Sequence, residues 1–402
     1  MERLFGLFLA TIFAFTGLAG AIAQEATPEA GGTIRIGVLN PTTGSFAIFG
    51  EQVNAGIQLY FDSIENTVAG QTIELVFADT AGDPQQALDQ ARRLVGEEDV
   101  DLLMGIINSA VVPPIADFAA QEEIPLILSI GGAQAATGPE RSEYVYRTAL
   151  ANGQQDRVLG WYTASKLDKT SAATFAWDFI VGEERVNGFA ETFTAAGGEI
   201  VSQQEPPLGT TDYGPFISQV DPSNIDVAYA FFAGPGALSF AQQMSDFGLT
   251  PDVGLVASDY FTAGVLSEMG DAAVGLVQAG GYTSSIDSPQ NQAYIELFQE
   301  SQDRLPGVYD YEAYLSAMVV ADALERAGGI ADEQAFLDAL AVTDLVTPSG
   351  QLTFDEQGQS VRTIYITRIE ETGEGLTQTI LETVTGVSQD WTPEEGVAAY
   401  GY

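Results

Sequence analysis

The 402-residue sequence contains no cysteine and no histidine, and its only lysines are Lys166 and Lys169. A Ser-His-Asp triad, a thiol nucleophile, a zinc finger or an iron–sulfur site therefore has nothing to be built from. Two lysines in one short segment leave little scope for a buried Schiff-base lysine. Basic residues are scarce altogether, 14 against 56 acidic ones, for a formal charge of −42. Phosphates are held by basic patches, so this balance opposes a nucleic-acid or anionic-membrane partner. The missing cysteines fit an exported chain that forms no disulfides, without identifying a redox compartment.

Apolar residues are plentiful. A hydrophobic fraction of 46%, with 22 Phe and 15 Tyr, excludes a disordered acidic chain and supplies a real core. The length suits two or three domains. Arg3 precedes an apolar run from Leu4 to Leu18, and Ala21-Ile22-Ala23 gives a small-x-small cleavage pattern. That run is about 15 residues, shorter than the roughly 20 that span a bilayer. Residues 1–23 are therefore expected to be a cleavable secretory signal and 24–32 a flexible leader, placing the mature chain in the periplasm or outside the cell.

Thr33 to Leu39 reads as a buried strand, followed by a helix from about Gly50 to Ile64 and a strand from Thr72 to Ala78. Asp83-Pro84 pairs an N-cap with a proline at the first helical position and opens a helix through Val95. Strand Asp101–Ile107, helix Val112–Gln121 and strand Pro125–Ser129 continue the alternation. The pattern restarts with helix Asn152–Ser165, strand Ala172–Trp177, helix Glu183–Ala196 and strand Glu199–Gln203. Helix Tyr213–Val220, strand Val227–Phe232, helix Ala237–Phe247 and strand Val253–Ala257 complete a second α/β half. Beyond residue 258 come helices at Gln290–Ser301, Tyr309–Ala327 and 332–341, with strands at 351–354 and 361–369. These pieces are too few for a third domain and are expected to cross back between the halves. A cleft between two such lobes is a ligand site by default.

The order of motifs resembles a known family. Ile36 to Glu65 (IGVLNPTTGSFAIFGEQVNAGIQLYFDSIE), Asp79 with Asp83-Pro84-Gln85-Gln86-Ala87, Met104 to Ser129 (MGIINSAVVPPIADFAAQEEIPLILS) and Thr347 to Gln359 (TPSGQLTFDEQGQ) are similar to type I periplasmic solute-binding proteins, the leucine/isoleucine/valine-binding group that serves ABC importers. The resemblance spans nearly all of residues 33–370. It implies an α/β fold of two Rossmann-like lobes joined by a three-crossover hinge. The expected lobes are 33–149 plus 283–346 and 150–282 plus 347–390, with 391–402 as a tail. It also implies a monomer that binds one solute, partners a membrane permease and needs no cofactor.

Site residues carry over by position. Ser109, after the third strand, matches the family serine that bonds a ligand carboxylate, and the helix from Val112 would place its dipole there. Asn108 and Ser109 also suit the capping of that helix. Ile130-Gly131-Gly132 matches the segment that supplies backbone groups and a threonine hydroxyl, but Gly132 stands at the threonine position. Asp259 falls where the family places an acid for the ligand's ammonium group. Two family pocket tyrosines read here as Val181 and Ala233, while Phe49 and Tyr309 match other wall positions. Trp177, Asp178 and Phe179 lie at a strand end that faces the cleft. Serine plus acid suits a zwitterion, so a small amino acid of the branched-chain type is the expected ligand. The aromatic wall and lost polar contacts leave an aromatic or other small carboxylate as the alternative, or a role as a solute sensor.

An enzyme reading finds little support. Gly234-Pro235-Gly236 lacks the third glycine of a dinucleotide loop, Ser239 standing in its place, and Pro235 removes a donor a phosphate would use. Acids are too abundant for any carboxylate pair to be informative. The acidic excess with almost no lysine resembles proteins adapted to saline surroundings, where salt screens carboxylate repulsion.

Overall fold

The computed structural model describes residues 31–249, 253–373 and 375–394. The expected signal sequence, most of the leader and most of the C-terminal tail lie outside the described residues.

The first lobe grows around β1 (Thr33–Asn40), whose residues from Ile36 onward are buried. The chain continues through α1 (Ala47–Ser63), β2 (Thr67–Val68), β3 (Gln71–Asp79), α2 (Pro84–Gly96), β4 (Leu102–Gly105), α3 (Val112–Glu122), β5 (Leu126–Leu128) and β6 (Val145–Arg147). They form a sheet of order β2-β3-β1-β4-β5-β6, parallel except for the β2–β3 pair. Strands covered on both faces are continuous apolar runs, which is why LLMG and LIL suffice for β4 and β5. α2 starts as the sequence expects: the Asp83 carboxylate accepts from the Gln86 amide at 2.8 Å, with Pro84 at the first helical position.

The second lobe contains α4 (Gln154–Ser165), β7 (Ser171–Ala176), α5 (Ile180–Ala195), β8 (Glu199–Gln204), α6 (Gly214–Ile217), β9 (Val227–Phe231), α7 (Pro235–Asp246), β10 (Gly254–Ser258), α8 (Leu266–Met269) and β11 (Val277–Gly280). The chain then returns to the first lobe with α9 (Pro289–Gln299), α10 (Val308–Ala327) and α11 (Glu333–Ala341). It ends in β12 (Asp344–Thr347), β13 (Gly350–Phe354), β14 (Ser360–Thr372) and β15 (Gly375–Val387). The second sheet runs β12-β13-β14-β11-β10-β9-β7-β8, with β15 paired to β14. α10 packs along α1, where the rings of Tyr60 and Tyr314 meet edge to face at 5.1 Å.

The chain thus passes between the sheets three times: after β6, after β11, and after α11. Arg362 of β14 joins these passages. Its guanidinium donates to the Thr148 carbonyl at 3.1 Å, the Gly281 carbonyl at 3.3 Å and the Glu312 carboxylate at 2.6 Å.

Two expectations need correction. The helix expected over Tyr213–Val220 is a single turn, α6, because the turn at Asp221-Pro222 follows at once. The strand expected over Asp101–Ile107 stops at Gly105, where Gly105 and Ile106 both take positive φ and swing the chain toward the cleft.

Candidate functional site

The cleft between the lobes lies at the carboxyl ends of β4, β5, β7, β9 and β10, where open α/β sheets place their ligands. It holds a half-open cavity of about 60 Å³. One water needs roughly 10–15 Å³ on this scale, so the space suits a small solute. Its walls are Phe46 just before α1 and Phe49 in its first turn, Ile107, Asn108 and Ser109 after β4, Ile130 after β5, Asn152 in the first crossover and Tyr309 of α10. Across the cleft stand Trp177, Phe179, Val181, Arg185, Phe231, Ala233 and Tyr260.

Nine of the residues singled out in the sequence meet here: Phe49, Asn108, Ser109, Ile130, Trp177, Phe179, Val181, Ala233 and Tyr309. Gly131, Gly132 and Asp259 are not part of the wall. The glycine peptides are already engaged within the first lobe. The Gly131 amide donates to the Ile106 carbonyl at 2.7 Å, and its own carbonyl accepts from Arg147 Nε at 3.0 Å. The Gly132 amide donates to Ser109 Oγ at 3.0 Å, and its carbonyl accepts from the Asn152 amide at 2.8 Å. The Gly131 and Gly132 peptides thus hold the loop after β5 to the rest of the first lobe, while Ile130 lines the cavity. Asn108 and Ser109 do not cap α3, whose N-cap is Val111 without a side-chain bond. Asn108 instead caps the 3-10 turn Ser109–Val111 that precedes it, its Oδ1 accepting from the Ala110 amide at 3.1 Å while Nδ2 donates to the Gly82 carbonyl at 2.8 Å. Asp178 is exposed and hydrogen-bonds through its amide to the Pro206 carbonyl, away from the cavity.

Asp259 is buried just behind Tyr260. Its Oδ1 accepts from Gln155 Nε2 at 2.8 Å, and Oδ2 has no partner. The carboxylate packs on Gly280, where any side chain would collide with it. Burial pushes its pKa up to about 7, opposed by the nearby Arg185. The side of Asp259 away from the cavity faces a separate open crevice of about 830 Å³ between the Arg304–Val308 loop and the α8 region.

The residues that sequence reasoning missed are Phe46, Ile107, Asn152, Arg185, Phe231 and Tyr260. Arg185 carried a legible signal: it sits four residues from both Val181 and Phe189, on the buried stripe of α5. A cation on an apolar stripe, in a chain with so few cations, marks a special position. Its Nη1 donates to Asp156 Oδ2 at 3.0 Å, and Asp156 Oδ1 accepts from the Tyr229 hydroxyl at 2.7 Å. The guanidinium carbon lies 4.8 Å from the Phe231 ring centroid and 4.9 Å from that of Tyr260. Burial is the largest influence and works to lower the Arg185 pKa, but Asp156, Tyr229, Tyr260 and Asp259 together outweigh it and hold the group above its ordinary value.

The lobes touch across the cavity. Tyr260 meets Tyr309 at 5.2 Å between ring centroids, and Tyr309 in turn stacks on Phe49 at 4.5 Å. Phe49 also abuts Gly234, where an added Cβ would stand 3.0 Å from the ring. Glu184 reaches from α5 to the Gln134 amide at 3.1 Å and to Asn152 Nδ2 at 2.8 Å, and burial raises its pKa. Among the described residues no group of three acidic side chains is placed to hold a metal ion.

A model of the family described as periplasmic binding protein matches residues 33–374. A Leu/Ile/Val-binding protein homolog 6 of Brucella melitensis is 29% identical over 287 residues, covering 70% of this chain and 73% of its own length. An ABC transporter substrate-binding protein from Sphaerobacter thermophilus superposes with a TM-score of 0.86 at 32% identity, covering 89% of this chain and 99% of that one. A solute-binding protein of an ABC transporter from Rhodopseudomonas palustris BisB5, in complex with 3,4-dihydroxybenzoic acid, gives a TM-score of 0.84 at 28% identity, over 89% of this chain and 99% of its own. With this match over its two lobes and their cleft, the chain belongs to the type I periplasmic binding proteins, in the Leu/Ile/Val-binding family of ABC-transporter solute-binding proteins.

Proposed function

We propose that this protein captures a small aromatic carboxylate between its lobes in the periplasm and delivers it to the permease of an ABC importer. The observation that carries this reading is the make-up of the cavity wall. Seven of its side chains are aromatic, and its one charged side chain is a cation, Arg185. Aromatic faces and edges suit a planar ring, and a cation suits its acid group. The Rhodopseudomonas palustris relative, crystallised with 3,4-dihydroxybenzoic acid, supports the same class.

A branched-chain amino acid is the second reading, favoured by the names of the Brucella relatives and by the unpartnered Asp259 Oδ2. It is the weaker one, because an ammonium group needs a negative partner on the wall and Asp259 lies behind it. The protein acts as a monomer without cofactor, by population shift: a solute touching both lobes stabilises the closed form that the permease recognises.

The test is a thermal-shift screen of the mature protein, unfolded and refolded to strip bound solute, against aromatic acids and aliphatic amino acids. A ligand at 100 times its Kd adds about 2.7 kcal/mol, which reads as a shift of a few degrees. Stabilisation by aromatic acids is the expected result. A response confined to leucine, isoleucine and valine would replace this reading with the second.

A further inference from the structure

We infer that the solute's carboxylate docks on Arg185 in the second lobe, and not on Ser109 in the first. This rests on the aromatic-carboxylate reading and fixes the direction in which such a ligand lies.

Arg185 has hydrogen-bonding capacity to spare. It is 4% exposed and lines the cavity, yet Nη1 to Asp156 is its single side-chain hydrogen bond, and Nε has no partner. A buried guanidinium N–H without an acceptor costs free energy, and an arriving carboxylate removes that cost. The group is also fixed before the ligand comes. Asp156 holds one end, Tyr229 holds Asp156, and the rings of Phe231 and Tyr260 flank the plane. A pre-positioned fork loses little freedom on binding.

Ser109 offers less. Its Oγ already accepts from the Gly132 amide at 3.0 Å and from Asn152 Nδ2 at 3.3 Å, so only its own proton is left for a ligand. That leaves one neutral donor, which can make a single hydrogen bond but supplies no positive charge to balance a carboxylate, whereas Arg185 offers both charge and a fork of donors. The solute's acid end therefore points to α5 and its opposite edge to the β4 connection. Asp156 and Tyr229 act as positioning residues.

The experiment is calorimetric titration of the wild type, Arg185→Met, and the paired change Arg185→Gln with Asp156→Asn. Each is titrated with benzoate, 3,4-dihydroxybenzoate and the corresponding amides. The paired variant keeps the test alive should Arg185→Met, with Asp156 left buried and unpaired, fail to fold. The wild type is expected to prefer acid over amide by more than about tenfold, and the variants to lose roughly 10- to 100-fold of that preference. A substitution that merely loosened the cleft would weaken acid and amide alike. Retention of the acid-over-amide ratio in a folded variant overturns the docking on Arg185 and leaves the aromatic reading intact. If no aromatic acid binds the wild type, both fall together.

Discussion

Arg362 Nη1 lies 2.6 Å from Glu312 Oε2, and both side chains are about 1% exposed. The pair sits where the three passages between the lobes converge, since the same guanidinium also holds the Thr148 and Gly281 carbonyls. Burial pushes the Glu312 pKa up and Arg362 pulls it back. Removing one partner strands a buried charge, so Glu312→Gln or Arg362→Met should cost about 3–5 kcal/mol in urea unfolding. The double change Glu312→Leu with Arg362→Met should cost less than the sum of the singles, because neither charge is then stranded. Additive costs would show that the pair does not act as a unit.

Asp259 makes stability depend on pH. Its pKa is about 7 when folded against about 3.9 for a free aspartate, so the folded state binds the proton more tightly. The stabilisation is complete below about pH 4 and is lost as pH rises through about 7. Roughly three pKa units at 1.36 kcal/mol each set an upper limit of about 4 kcal/mol. Asp259→Asn should therefore gain stability relative to the wild type between pH 5 and pH 8. Parallel unfolding midpoints for the two proteins across that range would remove the assignment.

Much of the architecture was legible because buried parallel strands are continuous apolar runs bounded by turn residues. TIRIGVL and VAYAF announce β1 and β9 in this way. β15 was not legible: its Thr-rich run is half-exposed along most of its length and carries no one-sided pattern. β11 is only four residues, VQAG, and takes its strand form from its neighbours β10 and β14. At the site, strand-end aromatics such as Trp177 and Phe179 could be placed from sequence, because a parallel strand delivers its last residues to the cleft. Peptide groups could not. Whether Gly131 and Gly132 face a ligand or bond within the lobe depends on Arg147 and Asn152, which meet them only in the folded chain.

Glu184 links α5 of the second lobe to Gln134 of the first and to Asn152 of the crossover. Gln134 belongs to the first lobe, so losing these bonds should loosen the seam between the lobes and spare the fold of each. Glu184→Ala is expected to raise Kd roughly 5- to 30-fold, mainly through faster dissociation, for about 1–2 kcal/mol of lost charge-assisted bonding. Stopped-flow release of the bound solute checks this. An unchanged dissociation rate would mean that Glu184 does not hold the cleft shut.

The acidic surface sets a salt dependence. With 14 basic residues against 56 acidic ones, most carboxylates have no cation to pair with. The ion pairs among the described residues draw on only eight carboxylates: Glu74, Asp89, Glu98, Asp156, Glu191, Asp310, Glu312 and Asp322. Repulsion among the unpaired charges opposes the compact state, and salt screens it over a Debye length that falls from about 10 Å at 0.1 M to about 3 Å at 1 M. The melting temperature should therefore rise by several degrees between low salt and seawater strength. Potassium chloride is the salt to use, because sulfate would also strengthen apolar burial and confuse the two effects. A flat or falling melting temperature would mean that the charge serves solubility alone and carries no adaptation to saline surroundings.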